Sequence, residues 1–297
     1  MSNPLLPLVD AFLTDLLNSG KAETTIASYR STLHKLARFY QGPVAGLTPA
    51  VLRRFLATIN GGNPNNRARY FSNIKIFLNW CYRFEYISTN PILKLETPRW
   101  HEYPPRSIPP AHLELLAREI EAAPPPYRLL FTLLLETGMR VREALGILVR
   151  DIDLAPGAET IVIRGKGDRV RAVPLVPGLR SLELLREHLD RAAPGQTFLF
   201  PSPAGPGAPL TYEEARAFWR AMQKKTGTAY RIHQLRHSCA THLLNNGVSL
   251  DAIQKLLGHK KLSTTCRYAQ LEHGVLRRAI AGHLRRQKEE NAGVPRS

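Results

Sequence analysis

A chain of 297 residues is long enough for two domains, each burying a core of its own. Its 43% hydrophobic and 22% charged residues exclude a disordered or collagen-like polymer. The 41 Lys+Arg against 24 Asp+Glu leave a net charge of +17, with 30 Arg to 11 Lys. Because the planar guanidinium fork grips phosphate bidentately, that bias points to a polyanionic partner. Three scattered cysteines, Cys81, Cys239 and Cys266, make neither a disulfide framework nor a CxxC site and fit a reducing cytosol. No apolar run approaches the roughly 18 residues of a membrane span, and residues 1–10 lack a secretory leader. The expectation is a cytoplasmic, nucleoid-associated protein without membrane contact.

In chain order, Leu5, Leu8, Val9, Phe12 and Leu16 make a first helical stripe, and Tyr29, Leu33, Leu36 and Phe39/Tyr40 a second. Thr48-Pro49 reads as an N-cap with proline at the first helical position, opening a third through Leu52, Phe55, Leu56 and Ile59. Tyr70, Phe71, Ile74, Phe77, Leu78 and Cys81 make the fourth. These four helices predict a small bundle over residues 1–96, with the aromatics in its core. Residues 97–110 (TPRWHEYPPRSIPP) hold five prolines and read as a linker. Both sides of it are basic: residues 1–106 carry 13 Lys+Arg against 6 Asp+Glu, and residues 107–297 carry 28 against 18.

The remainder, 111–297, is mixed. Helical patterns cover 111–122, 127–136 and 211–224, where Thr211 and Glu214 stand in capping-box spacing. Two more cover 234–245 and 250–257, the last with Ser249 as cap and Gly258 as stop. The β-branched runs 160–164 and 170–173 flank Gly165-Lys166-Gly167-Asp168, a hairpin signal. The fold class expected is mainly α with a small antiparallel sheet.

Neither a Walker-type G-x-x-x-x-G-K-[ST] nor a dinucleotide-binding G-x-G-x-x-G is present, so ATP and NAD chemistry are unsupported. His233 and His237 have the i, i+4 spacing of a zinc site, but Gln234 stands where a metalloprotease needs its glutamate; a metallohydrolase stays an outside alternative. On a helix, His233, Arg236 and His237 project to one side, suiting an imidazole and a guanidinium to one phosphate. Arg140, just beyond a turn glycine, and Lys166, at the hairpin tip, are further cations for the charge that builds on a pentacoordinate phosphorus.

The segments TGMRVREALGILVRDID (137–153), RGKGDRVRAVPL (164–175), HQLRHSCATHLLNNG (233–247) and LLGHKKLSTTCRYAQL (256–271) resemble, in order and spacing, the catalytic boxes of the tyrosine recombinase (integrase) family. TTIASYRSTLHKLARFY (24–40) is similar to the family's core DNA-binding domain, and the length resembles Xer-type members. The resemblance implies two domains closing as a C-shaped clamp on double-stranded DNA. It makes Tyr268 the nucleophile, surrounded by Arg140, Lys166, His233, Arg236 and His259, with Glu143 and Asp151 as supporting carboxylates. Cys239 departs from the bulky residue many relatives carry and is expected to be packing. The chain beyond Tyr268 matches Xer proteins less closely.

The implied reaction exchanges a DNA phosphodiester for a 3′-phosphotyrosyl bond and back, so bond energy is conserved and no ATP is needed. Two arginines and a lysine supply the charge a metal supplies elsewhere, and neither metal nor cofactor is expected. The stripe Val275, Leu276, Ile280, Leu284, with Arg277, Arg278, Arg285 and Arg286 opposite, suggests a C-terminal helix packing on a neighbour in a homo- or hetero-tetramer. Chromosome-dimer resolution and mobile-element integration or excision both fit. Type IB topoisomerase-like relaxation and a non-catalytic DNA-binding regulator on the same fold stay open.

Overall fold

Thr48 accepts a hydrogen bond on its hydroxyl from the Val51 amide, with Pro49 opening the helix behind it, as the Thr-Pro pair predicts. The computed structural model describes residues 3–59, 65–101, 106–165, 169–203 and 205–258. The chain divides into two units, residues 1–103 and 104–297. The first contains α1 (Leu6–Asn18), α2 (Glu23–Phe39), α3 (Pro49–Ala57) and α4 (Asn65–Arg83). The predicted stripes become its core, in which Phe12 meets Tyr29, Phe77 and Trp80 edge-on at centroid distances of 5.4–5.7 Å. The buried Asn73 amide donates to the Thr32 hydroxyl at 2.8 Å and ties α4 to α2.

The second unit contains α5 (Pro110–Glu121), α6 (Pro125–Thr137), α7 (Val141–Leu145), β1 (Ile152–Asp153), β2 (Thr160–Gly165), β3 (Arg169–Pro174) and α8 (Arg180–Asp190). There follow β4 (Pro201–Ser202), β5 (Gly205–Pro209), α9 (Tyr212–Thr226), α10 (His233–Asn245) and α11 (Leu250–Leu257). The fold is mostly helical with a small antiparallel sheet, β1-β2-β3 in order, plus the β4-β5 ribbon. Helix α6 is apolar nearly all round, with Leu129, Leu130, Phe131, Leu133 and Leu134 buried, and it packs against α5, α8 and α10. The α9 capping box forms as read: Thr211 accepts from the Glu214 amide while Glu214 accepts from the Thr211 amide.

The sequence reading overlooked α8 and the short elements α7, β1, β4 and β5. In the proline-rich segment, Ile108 is buried in the second unit's core, and its amide donates to the Ser238 hydroxyl at 2.9 Å. Among the described residues, no helix is long and apolar enough to cross a membrane.

Candidate active site

Gly138 ends α6 in the left-handed region at φ 64°, a conformation that costs a side-chain-bearing residue about 1 kcal/mol or more. The turn leaves Arg140 as the N-cap of α7, and Glu143, in that helix's first turn, reaches back to it. Glu143 accepts from the Arg140 amide at 2.9 Å and from Arg140 Nη1 at 2.7 Å. Its side chain is 7% exposed and Arg140's 45%, so a buried carboxylate aims a solvent-facing guanidinium.

On α10, Arg236 is buried, and its fork spans two helix ends. Nη1 donates to the Gly138 carbonyl at 2.7 Å, and Nη2 to the Leu257 carbonyl at 2.8 Å. One guanidinium therefore holds the carboxyl ends of α6 and α11, where the helix dipoles favour a cation. Gly258 closes α11 in the left-handed region, as the sequence predicts. One turn before Arg236, the His233 ring meets His237 edge-on at 4.7 Å. His233 keeps an accessible face, yet desolvation by the surrounding protein, and then the charges of Arg236 and Arg140, lower its pKa from the ordinary value. The shift favours the neutral form, the one that accepts a proton.

Arg171, on β3, carries the site further than sequence reasoning did. Its Nη1 and Nη2 donate to the two oxygens of Glu143 at 3.1 and 2.7 Å, and its Nε donates to the Leu256 carbonyl at 3.2 Å. Burial alone would push the Glu143 carboxyl up; the bonds from Arg171 and Arg140 overcome it and hold it at about 2. A signal for Arg171 was present in the pattern. Antiparallel register sets Ile161 opposite Val173 and Ile163 opposite Arg171, and both isoleucines and Val173 are buried. Arg171 thus shares the core face, while the apolar Val170 faces out.

Asp151, expected to support the first arginine, forms an ion pair with Arg164 at 3.1 Å. Cys239 is buried against the end of α6, its thiol donating to the Glu136 carbonyl and pushed up to about 12 by burial. Lys166, His259, Tyr268 and the C-terminal stripe lie outside the described residues. The described part of the site is therefore a pair of cations, Arg140 and Arg236, whose charges both act on His233. Among the described residues no group of three or more His, Cys, Asp or Glu is placed to hold a metal.

Cations and an imidazole gathered on a helical domain with a paired β2 and β3 suit a phosphate group, and the phage integrase family model matches residues 107–274. The chain belongs to that family and is a tyrosine recombinase. It is 31% identical to tyrosine recombinase XerD of Pseudomonas aeruginosa over 93% of this chain and 97% of the relative. With tyrosine recombinase XerC of Rhodospirillum centenum it shares 33% identity over 85% of this chain and 79% of the relative. Two solved structures share the fold: a lambda integrase (75–356) dimer bound to a COC′ core site, and the XerH site-specific recombinase bound to a palindromic difH substrate. The first has a TM-score of 0.71 at 21% identity, covering 87% of this chain and 96% of that one. The second has a TM-score of 0.70 at 24% identity, covering 88% and 80%.

Proposed function

We propose that this chain is a site-specific DNA recombinase that cleaves and rejoins strands of duplex DNA through a covalent 3′-phosphotyrosyl intermediate. The observation that carries the reading is the site on α10: a buried arginine fork at two helix ends, one turn from the accessible His233 imidazole. A tyrosine hydroxyl, with pKa ≈ 10, is a poor nucleophile at neutral pH and needs both a base and an electrophilic phosphorus. In this reading Tyr268 attacks the scissile phosphorus and gives its proton to His233. Arg140 and Arg236 neutralise the charge gathering on the nonbridging oxygens, and His259 hydrogen-bonds one of them. The bond to the 5′-oxygen breaks, and Lys166 protonates that departing oxygen to give the 5′-hydroxyl. Attack by a partner strand's 5′-hydroxyl reverses the sequence and releases Tyr268, so the balance closes without ATP.

Duplex DNA is the partner, met by both basic units. Pairing of two sites in a tetramer, with the C-terminal helix packing in trans, completes the proposal and is the arrangement that chromosome-dimer resolution or integration requires. A nicked suicide DNA substrate tests it: the wild-type protein traps as a covalent adduct on a denaturing gel, and Tyr268→Phe does not. An adduct persisting in Tyr268→Phe rejects the nucleophile. Relaxation of supercoiled DNA without joining of two sites favours the topoisomerase reading instead.

A further inference from the structure

The carboxylate of Glu143 takes four donors. Oε1 accepts from Nη1 of both Arg140 and Arg171, and Oε2 accepts from the Arg140 amide and Arg171 Nη2. The two arginines differ in placement: Arg140 is 45% exposed and Arg171 only 17%. Arg140 thus faces outward, and Arg171 backs the carboxylate from the sheet. Its remaining measured bond goes to the Leu256 carbonyl, and the next carbonyl, that of Leu257, belongs to Arg236. Consecutive carbonyls at the end of α11 are therefore held by two arginines from different elements, and the chain then runs toward His259 and Tyr268.

We propose that Arg171 is a positioning residue for strand cleavage: through Glu143 it fixes the direction of the Arg140 guanidinium, and through Leu256 it fixes the exit of the chain from α11. The inference rests on the recombinase reading. It depends on fork geometry rather than on charge. A guanidinium spans both carboxylate oxygens and the carbonyl at once, whereas an ammonium is a single point donor. Losing the fork leaves Glu143 bonded to Arg140 but free to rotate, and a misplacement of about 1 Å at a reacting centre costs about 100-fold in rate.

The test is single-turnover adduct formation on the nicked suicide DNA, with full-length protein at concentrations that saturate the DNA. Arg171→Gln and Arg171→Lys are both expected to slow the adduct by about 30- to 100-fold, with DNA affinity within about threefold of wild type. On an Arg140→Ala background, Arg171→Gln is expected to cost less than about fivefold more, because the route through Glu143 and Arg140 is already lost and only the smaller contribution of the Leu256 contact remains. Full rescue by Arg171→Lys would show that charge alone matters and overturn the proposal. So would a full, additive loss in the double variant, the mark of general structural support, or variants as fast as wild type. Should Arg171→Gln lose its circular dichroism spectrum, Arg171→Lys and Glu143→Gln carry the same comparison. A wild-type protein that makes no adduct removes the recombinase reading itself, a result distinct from an active wild type with indifferent variants.

Discussion

Arg236 donates to the carbonyl of Gly138 across 98 residues of chain, at 2.7 Å. The same side chain reaches Leu257, so substitution here is expected to touch the proposed chemistry and the architecture together. Arg236→Lys cannot span both carbonyls and is expected to lower adduct formation by about 10²–10³-fold. Loss of one bond from a charged donor should also cost about 1.5–3 kcal/mol in urea unfolding. A variant with wild-type stability and a wild-type adduct rate would contradict the bridging role.

As the proposed base, the His233 imidazole is expected to set the acid side of the pH profile. Its folded pKa lies below 6.5, so near pH 6 the folded chain binds fewer protons than the unfolded one. This group therefore costs no stability above 6.5 and destabilises progressively as pH falls toward the lowered value. Cleavage should be level above pH 6.5 and decline below it with the loss of one base. His233→Gln is expected to be slow and flat across that range. Glu143 acts in the same direction in a lower window: the stabilisation from its arginines is present above pH 4.5 and disappears as pH falls to about 2.

Two glycines with the same φ of 64° provide an internal control. A Cβ at Gly227 would meet nothing within 4 Å, whereas one at Gly138 would lie 2.6 Å from Leu257 Cδ2 and 3.2 Å from the Cys239 sulfur. Gly227→Ala should cost about 1 kcal/mol of backbone strain. Gly138→Ala should add about 1–3 kcal/mol of overpacking and slow the adduct as well, since Gly138 and Leu257 are both acceptors for Arg236. Equal urea midpoints for the two variants would refute the packing argument.

Removal of residues 272–297 should leave single-site DNA binding measurable and abolish cooperative assembly of four protomers, read by native gels of paired sites. Unchanged cooperativity in the truncated protein would reject the proposed packing of this segment in trans.

DNA affinity should fall steeply with salt, the log–log slope being about −0.9 for each phosphate neutralised. Adduct formation should persist in EDTA, because the proposed charge stabilisation comes from Arg140, Arg236 and Lys166. A flat salt response would speak against a basic grip on duplex DNA, and loss of activity in EDTA against a cation-only site.

What could be read from the sequence was what is written locally. Thr48-Pro49, the Thr211–Glu214 box and Ser249 each cap a helix within three residues, and all three form. The hairpin follows from two β-branched runs around a glycine-rich turn. Helix α8 escaped because Leu179 stands at its N-cap and its first amides are satisfied from afar: Arg180 and Ser181 donate to the carboxylate of Glu136, 44 and 45 residues away. Arg171 escaped for the same reason, its partners lying 28 and 85 residues off. Family resemblance supplied the roles of Arg140, His233 and Arg236; only the structure supplied what each is held by.

The long reach of the Arg236 fork also bears on synthesis. At about 5–20 residues per second, the 98 residues between Gly138 and Arg236 separate their emergence from the ribosome by roughly 5–20 s. Leu257 and Tyr268, the proposed nucleophile, follow later still. A chain that ends before Leu257 therefore lacks the bridge between α6 and α11 on which the proposed cleavage depends.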